Sequence, residues 1–174
     1  VGGCPPLITD TAFNQDPQCT VHNQNALTRI LKSNISTVFI VASWVETYPI
    51  HTETKTHTIY EALSETIDLI PSKTNVILVQ RVPSQPDFDV RKLFYEAIAT
   101  GELSEVTIPR TSYIQNNRTS RQAIERLASE RANVFAVDPI DVFCDGSECS
   151  YVQDETILYT DRNHVNATGA QLLT

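Results

Sequence analysis

The sequence predicts an α/β protein, a three-layer α/β/α sandwich built around a parallel sheet. Short, almost uninterrupted apolar segments alternate with longer segments whose apolar residues recur at helical spacing. A strand that reads as a continuous apolar run is typical of a parallel sheet, because helices cover both of its faces. Open sheets of this kind place their chemistry beyond the carboxyl ends of the strands, where we expect the functional site.

The first half of the chain predicts two helix–strand pairs. Residues 23–31 have apolar side chains at helical spacing and lead into an apolar strand at residues 37–42. The next helix, residues 59–70, has one apolar stripe and precedes a strand at residues 75–80. The stripe consists of Ile59, Leu63, Ile67 and Ile70.

The second half continues the same alternation. Two helices are predicted at residues 90–99 and 119–131, and a strand follows at residues 133–137. A shorter strand at residues 155–159 precedes a loop and then a helix, for which Asn166 is a suitable N-cap. Helical sequence thus separates the main strands, as the crossover connections of a parallel sheet require.

Length and composition indicate one globular domain over residues 1–174. Hydrophobic residues make up 41% of the chain and charged residues 20%, and the longest apolar run, residues 38–45, is far too short to span a membrane. The chain carries 13 basic and 21 acidic residues, a net charge of −8. Because affinity for nucleic acid depends on cations that neutralise phosphates, this balance argues against nucleic acid as a partner.

Four cysteines indicate the compartment. By proximity they pair as Cys4 with Cys19 and Cys144 with Cys149, although four cysteines allow three connectivities. Zinc binding is the alternative, but the spacings match no common ligand pattern. Disulfides favour an oxidising compartment, so we expect the domain in the periplasm or at the extracellular face of the membrane.

Asp161 and His164 form the most informative pattern, because they lie three residues apart in the loop before the last helix. An unperturbed histidine has a pKa of about 6.5 and can act as a general base, and a carboxylate on Nδ1 leaves Nε2 free to accept a proton. A solvated loop before a helix is the alternative interpretation. The position between a strand and a helix supports the catalytic interpretation, but the pattern alone leaves both interpretations open.

The order of several short motifs resembles one family. Asp161-Arg162-Asn163-His164, followed by Gly169-Ala170, resembles the last block of the SGNH (GDSL-type) hydrolase superfamily. The remaining motifs narrow the resemblance to the C-terminal SGNH domain fused to membrane acyltransferases of the acyltransferase-3 family, which O-acylate cell-surface sugars. These motifs are Cys4-Pro5-Pro6-Leu7, Cys19, the strand at 38–43 with Trp44, the run at 76–83, and the pair Cys144 and Cys149.

The resemblance implies that Asp161 and His164 complete a triad with a distant Ser. Family members carry that Ser in a Gly-Asp-Ser motif, which this sequence lacks; Asp145-Gly146-Ser147 has a different order. We therefore expect the first strand and helix of the domain, with the Ser, to lie upstream of Val1. Residues 1–174 alone are then expected to be inactive. The mechanism calls for no cofactor and no metal.

The function that the resemblance implies is O-acyl transfer from an acyl donor to an extracytoplasmic carbohydrate, with acetyl as the expected group. A covalently fused membrane acyltransferase domain is the expected partner. An esterase or deacetylase would use the same residues with water as the acceptor. A non-catalytic glycan-binding module that has lost the Ser is a further alternative, and the sequence leaves these alternatives open.

Ser43 and Trp44, at the end of the first predicted strand, are candidates for substrate binding. Ser43-Trp44-Val45 takes the place of the usual Gly-x-Asn-Asp block, as in the acyltransferase-fused branch. Ser43 is the in-chain rival for the nucleophile, but it lacks the glycine-lined turn that would expose it, and strand-end packing is the favoured interpretation. Trp44 could stack on a pyranose ring or pack in the core, and the sequence does not separate the two.

Overall fold

A computed structural model describes residues 4–8, 17–44, 50–51, 56–85 and 87–173, with the backbone alone described at positions 17, 50, 51, 56 and 57. The chain divides into two compact units. Unit 1 comprises Val1–Gln80 and Asn117–Val137, and unit 2 comprises Arg81–Asn116 and Asp138–Thr174. Ser43 and Trp44 therefore belong to unit 1, whereas Asp161 and His164 belong to unit 2. The single domain expected over residues 1–174 stays a prediction.

The described residues form seven helices and nine strands. The helices are α1 (Pro17–Lys32), α2 (Ile59–Asp68), α3 (Val90–Thr100), α4 (Arg110–Asn116), α5 (Arg118–Glu130), α6 (Ile140–Phe143) and α7 (Ala167–Gln171). The strands are β1 (Thr37–Val41), β2 (Ile50–His51), β3 (Thr56–His57), β4 (Asn75–Val79), β5 (Thr107–Pro109), β6 (Val134–Val137), β7 (Glu148–Ser150), β8 (Val152–Gln153) and β9 (Thr156–Ile157).

Local signals account for the ends of two helices. Thr58 caps α2 through a capping box, because its hydroxyl accepts from the Glu61 N–H while the Glu61 carboxylate accepts from the Thr58 N–H. Asp89 caps α3 by accepting from two backbone N–H groups of the first turn, and α3 ends at Gly101, whose φ of 80° is left-handed.

Unit 1 contains a three-stranded sheet in the order β1-β4-β6. Both strand pairs are parallel, and their register aligns Val38 with Val76 and Val76 with Val134. The prediction of an α/β protein with a parallel sheet is confirmed. Helices α2 and α5 lie along the chain between these strands and supply the crossover connections that parallel pairing requires.

The apolar core of unit 1 lies on one face of the sheet. Ile40 and Leu78 are buried there together with the apolar stripes of α2 and α5. On the opposite face, four apolar side chains of the described strands β1 and β6 are exposed. Both helices pack against the first face, so they leave the second without their cover. The exposed side chains are Phe39, Val41, Phe135 and Val137.

Unit 2 is built around buried aromatic rings. Tyr151 stacks on Tyr159 with ring centroids 4.2 Å apart, and Phe143 and Phe88 approach the same ring at tilted or edge-on angles. Such offset and edge-on contacts are favourable for aromatic quadrupoles. The antiparallel strands β5 and β7 contribute buried residues to the same apolar cluster.

The strand predicted at residues 155–159 is shorter than expected and lies outside the parallel sheet. Only Thr156–Ile157 is a strand, and it pairs antiparallel with β8. The reason is the two-residue turn at Asp154 and Glu155, whose φ values of 47° and 58° fold the chain back on itself.

Both disulfides expected from the sequence are present. Cys4 is bonded to Cys19, and Cys144 is bonded to Cys149. Cys19 lies in the first turn of α1, so the first bridge ties residues 4–8 to that helix. Among the described residues, no group of His, Cys, Asp and Glu side chains is arranged to hold a metal ion. No described helix is long and apolar enough to cross a membrane.

Candidate active site

Asp161 and His164 are in direct contact. The Nδ1 atom of His164 lies 2.9 Å from Oδ2 of Asp161 and 3.0 Å from Oδ1, so the carboxylate approaches the ring nitrogen with both oxygens. Bonding at Nδ1 selects the tautomer in which Nε2 carries the free lone pair. This is the arrangement that a general base with an orienting carboxylate requires.

The backbone of the loop holds the same carboxylate. Oδ1 of Asp161 accepts from the N–H of Asn163 at 3.0 Å and from the N–H of His164 at 2.9 Å. The pKa of Asp161 is lowered, first by the N–H of Asn163 and then by the hydrogen bonds from His164, because these donors favour the charged form. Asp161 is therefore held as an ionised acceptor facing the imidazole.

Hydrogen bonds across the base of the loop close it. The N–H of Thr160 donates to the His164 carbonyl at 2.8 Å, and the N–H of Asn166 donates to the Leu158 carbonyl at 2.9 Å. Tyr159 and Val165 form a β-bridge between these two bonds. The residues between the two ends can then adopt only a tight turn, which brings the two functional side chains together.

Asn166 anchors the loop to the helix that follows. Its Oδ1 accepts from the N–H of Gly169 at 2.9 Å, which confirms it as the N-cap of α7. Its Nδ2 donates to the Ile157 carbonyl at 2.7 Å. One side chain thus fixes both the start of α7 and the strand that leads into the loop.

The pair is open to solvent in unit 2. The side chain of His164 is 70% exposed and that of Asp161 is 51% exposed. Because Nδ1 faces Asp161, the exposed part of the ring includes the Nε2 side. The arrangement can accept a proton from a hydroxyl group brought to that side, which is the task of the base in acyl transfer.

The other two predicted site residues lie in unit 1. Trp44 is 2% exposed and belongs to the apolar core, where its indole N–H donates to the Val79 carbonyl at 2.7 Å. This environment matches the core-packing alternative, because the ring offers no open face in unit 1. Ser43 is exposed and lies beyond the end of β1. Binding of substrate by either residue stays a prediction.

Sequence reasoning missed the residues that hold the loop from outside. The Arg162 carbonyl accepts from the N–H of Gln85 at 3.1 Å and from the hydroxyl of Tyr151 at 3.4 Å. Nothing in the spacing of these residues signals that they meet. Only the alternation of apolar residues around Tyr151 could have indicated that its ring is buried.

No curated protein matches the chain. Among solved structures, the chain is similar to the periplasmic domain of a lipopolysaccharide acetyltransferase from Salmonella ser. Paratyphi A, with a TM-score of 0.68 and 17% sequence identity. The match covers 99% of this chain and 66% of that chain, so this chain spans less than two thirds of it. At this identity the likeness establishes the fold.

The sequence model of one protein family covers the chain from end to end. That family is described as the SGNH domain fused to AT3 domains, and it matches residues 1–174. The parallel sheet, the Asp-x-x-His loop and the two disulfides agree with the resemblance found in the sequence. The chain belongs to the SGNH domain family that is fused to AT3 domains.

Proposed function

We propose that the chain is the SGNH domain of an O-acyltransferase that transfers an acyl group, expected to be acetyl, to a carbohydrate outside the cytoplasm. The observation that carries the proposal is the contact of the Asp161 carboxylate with Nδ1 of His164, at 2.9 Å, in a pair whose imidazole is open to solvent. Family membership and the likeness to the periplasmic domain of a lipopolysaccharide acetyltransferase support the reaction class.

Acylation of the enzyme is the first half of the reaction. A Ser hydroxyl attacks the carbonyl carbon of the acyl donor while Nε2 of His164 takes its proton. The leaving group of the donor then departs with that proton as an acyl-Ser ester forms. Asp161 stays ionised and stabilises the imidazolium. The lowered pKa of Asp161 supports this role.

Transfer to the acceptor is the second half. A sugar hydroxyl attacks the acyl-Ser carbonyl as His164 removes its proton, and the proton returns to the Ser oxygen when that oxygen leaves. The sequence contains no Gly-Asp-Ser, so we propose that the Ser lies in a segment of the protein that precedes Val1. The similar solved chain is longer than this one, which is compatible with such a segment.

An extracytoplasmic location and a fused membrane domain belong to the same proposal. Two disulfides favour an oxidising compartment. The family description names fusion to AT3 domains, and we propose that such a domain supplies the acyl donor from the membrane.

The test replaces His164 by Ala in the complete protein and measures transfer of labelled acetyl groups to the cell-surface polysaccharide. Loss of a triad base costs several orders of magnitude, so we expect a fall of about 10³-fold or more. The matched control is His22→Ala, which removes an exposed histidine of α1. Unchanged transfer in His164→Ala would contradict the proposal, and release of free acetate without labelled polysaccharide would favour an esterase.

A further inference from the structure

One peptide group joins the aromatic core of unit 2 to the Asp161–His164 pair. It is the peptide between Arg162 and Asn163. Its carbonyl accepts from the Gln85 N–H at 3.1 Å and from the Tyr151 hydroxyl at 3.4 Å, and its N–H donates to Oδ1 of Asp161 at 3.0 Å. A peptide group is planar, with its C=O and N–H pointing in opposite directions. Donors that fix the carbonyl therefore also aim the N–H at the carboxylate.

Tyr151 is suited to hold this carbonyl. Its side chain is fully buried, and its ring stacks on Tyr159 at 4.2 Å and 28°. Burial raises the pKa of Tyr151, so its hydroxyl stays protonated and can donate. The rigid stack leaves the hydroxyl little freedom to move away from Arg162.

The hydrogen bond that the Asn163 N–H donates to Asp161 affects the ionisation of the carboxylate. The N–H of Asn163 is the largest single cause of the lowered pKa of Asp161. Hydrogen bonds accepted at a carbonyl also polarise the N–H of the same peptide and strengthen the bond that it donates.

We propose that Tyr151 is a positioning residue for the Asp161–His164 pair, acting through the Arg162–Asn163 peptide and assisted by the Gln85 N–H. The Tyr151 hydroxyl bonds the Arg162 carbonyl and so sets the plane of the peptide whose N–H holds the Asp161 carboxylate. That carboxylate orients the imidazole. The catalytic consequence rests on the function proposed above, whereas the positioning does not.

The test is Tyr151→Phe, which deletes the hydroxyl and keeps the stacked ring. We expect NMR titration to find a higher pKa for Asp161 in the variant, because the Asn163 N–H, the first cause of the lowered pKa, is no longer aimed at the carboxylate. In the described residues, the titratable side chain bonded to Asp161 is that of His164. It is present in both the variant and the unaltered chain, so its effect on the Asp161 pKa is common to both. Exchange of the Asn163 amide hydrogen should become about twofold to tenfold faster, as the loss of one neutral hydrogen bond allows.

The matched control is Tyr159→Phe. Tyr159 is the stacking partner in the same cluster, and its buried hydroxyl has no hydrogen-bond partner in the described part of the chain. Its removal should leave the Asp161 titration and the Asn163 exchange unchanged. If Tyr151→Phe and Tyr159→Phe behave alike while both are folded, the positioning proposal is wrong.

A measurement on the unaltered chain covers the case in which Tyr151→Phe does not fold. Scalar couplings across hydrogen bonds should link the Gln85 nitrogen to the Arg162 carbonyl carbon. Absence of this coupling, with the Asn163 amide exchanging as fast as an open loop, would overturn the proposal without any substitution.

Activity separates this proposal from the function on which it rests. In the complete protein we expect Tyr151→Phe to lower kcat by about tenfold to a hundredfold with KM unchanged, because misplacement of a catalytic group costs about that much. If His164→Ala abolishes transfer and Tyr151→Phe matches the unaltered protein, the positioning role fails alone. If Tyr151→Phe shifts the Asp161 titration and His164→Ala retains transfer, the proposed function fails alone.

Discussion

Single residues decide how closely the last helix can approach the loop that carries Asp161 and His164. Gly169, in the first turn of α7, faces the Leu158 carbonyl, and an added Cβ would lie 2.3 Å from that oxygen. The same Leu158 carbonyl accepts the Asn166 N–H that closes the loop. Any side chain at position 169 would therefore push α7 away from the strand that precedes the site.

We predict that Gly169→Ala lowers the free energy of unfolding by about 1–3 kcal/mol, the usual cost of overpacking against backbone. The measurement is urea denaturation followed by circular dichroism. Gly146→Ala is the matched control, because a Cβ there meets no atom within 4 Å, and its effect should stay within about 0.5 kcal/mol. Equal midpoints for the two variants would contradict the prediction.

The ionisation of Asp161 predicts how stability responds to acid. Its pKa is lowered in the folded chain, chiefly by the Asn163 N–H, whereas an unfolded Asp has a pKa of about 3.9. A lowered folded pKa stabilises the fold above the unfolded value and loses that contribution as the pH falls through the folded pKa. Asp161→Asn should therefore be less stable than the unaltered chain at neutral pH, and the difference should shrink below about pH 4.

Asp145 is the control for this pH dependence. The N–H groups of Glu148 and Ser147 lower the pKa of Asp145 in the same manner. Denaturation across the acid range should find the same trend for Asp145→Asn. Acyl transfer should remain unchanged in that variant and fall severely in Asp161→Asn, and a transfer defect of equal size in both would argue that Asp161 acts only through stability.

Among the secondary-structure elements, the strand before the site is shortened by a strained hairpin turn at the start of the predicted strand. Asp154 and Glu155 have φ values of 47° and 58° in the turn between β8 and β9. Left-handed backbone costs a residue with a Cβ about 1–2 kcal/mol, whereas glycine adopts it freely. The pairing of β8 with β9 must offset that cost.

We predict that Glu155→Gly raises the free energy of unfolding by about 1 kcal/mol, because it creates an Asp-Gly turn and relieves the positive φ. Thermal denaturation provides the measurement. Glu125→Gly makes the same chemical change within α5 and should instead destabilise by about 1 kcal/mol, since glycine is unfavourable in a helix. A loss of stability in both variants would argue against strain in the hairpin.

At the scale of the whole molecule, covalent bridges support the packing of two separate apolar clusters. One cluster lies around the parallel sheet of unit 1 and the other around the aromatic rings of unit 2. Each unit has one disulfide, Cys4–Cys19 in the first and Cys144–Cys149 in the second. The bridges therefore constrain each unit internally.

We predict that mass spectrometry of non-reduced peptides will detect these two linkages. In the chain-entropy description, the Cys4–Cys19 bridge, with a sequence separation of 15, contributes about 3 kcal/mol. Replacing Cys4 and Cys19 by Ala should lower the free energy of unfolding by about that amount, as measured by denaturation in guanidinium. Free thiols in the unaltered chain, or bound zinc in stoichiometric amount, would contradict the pairing and the compartment.

The fold class, the disulfide pairs and the Asp161–His164 contact could be predicted from the sequence. Each depends on residues close along the chain: continuous apolar runs, cysteines separated by 15 and 5 positions, and a loop closed within a few residues and capped by Asn166. Three features could not be predicted from the sequence: the face of the sheet that α2 and α5 cover, the burial of Trp44, and the meeting of Tyr151 and Gln85 at the Arg162 carbonyl. Those features depend on contacts between distant segments, because packing and not local propensity selects which buried groups become neighbours.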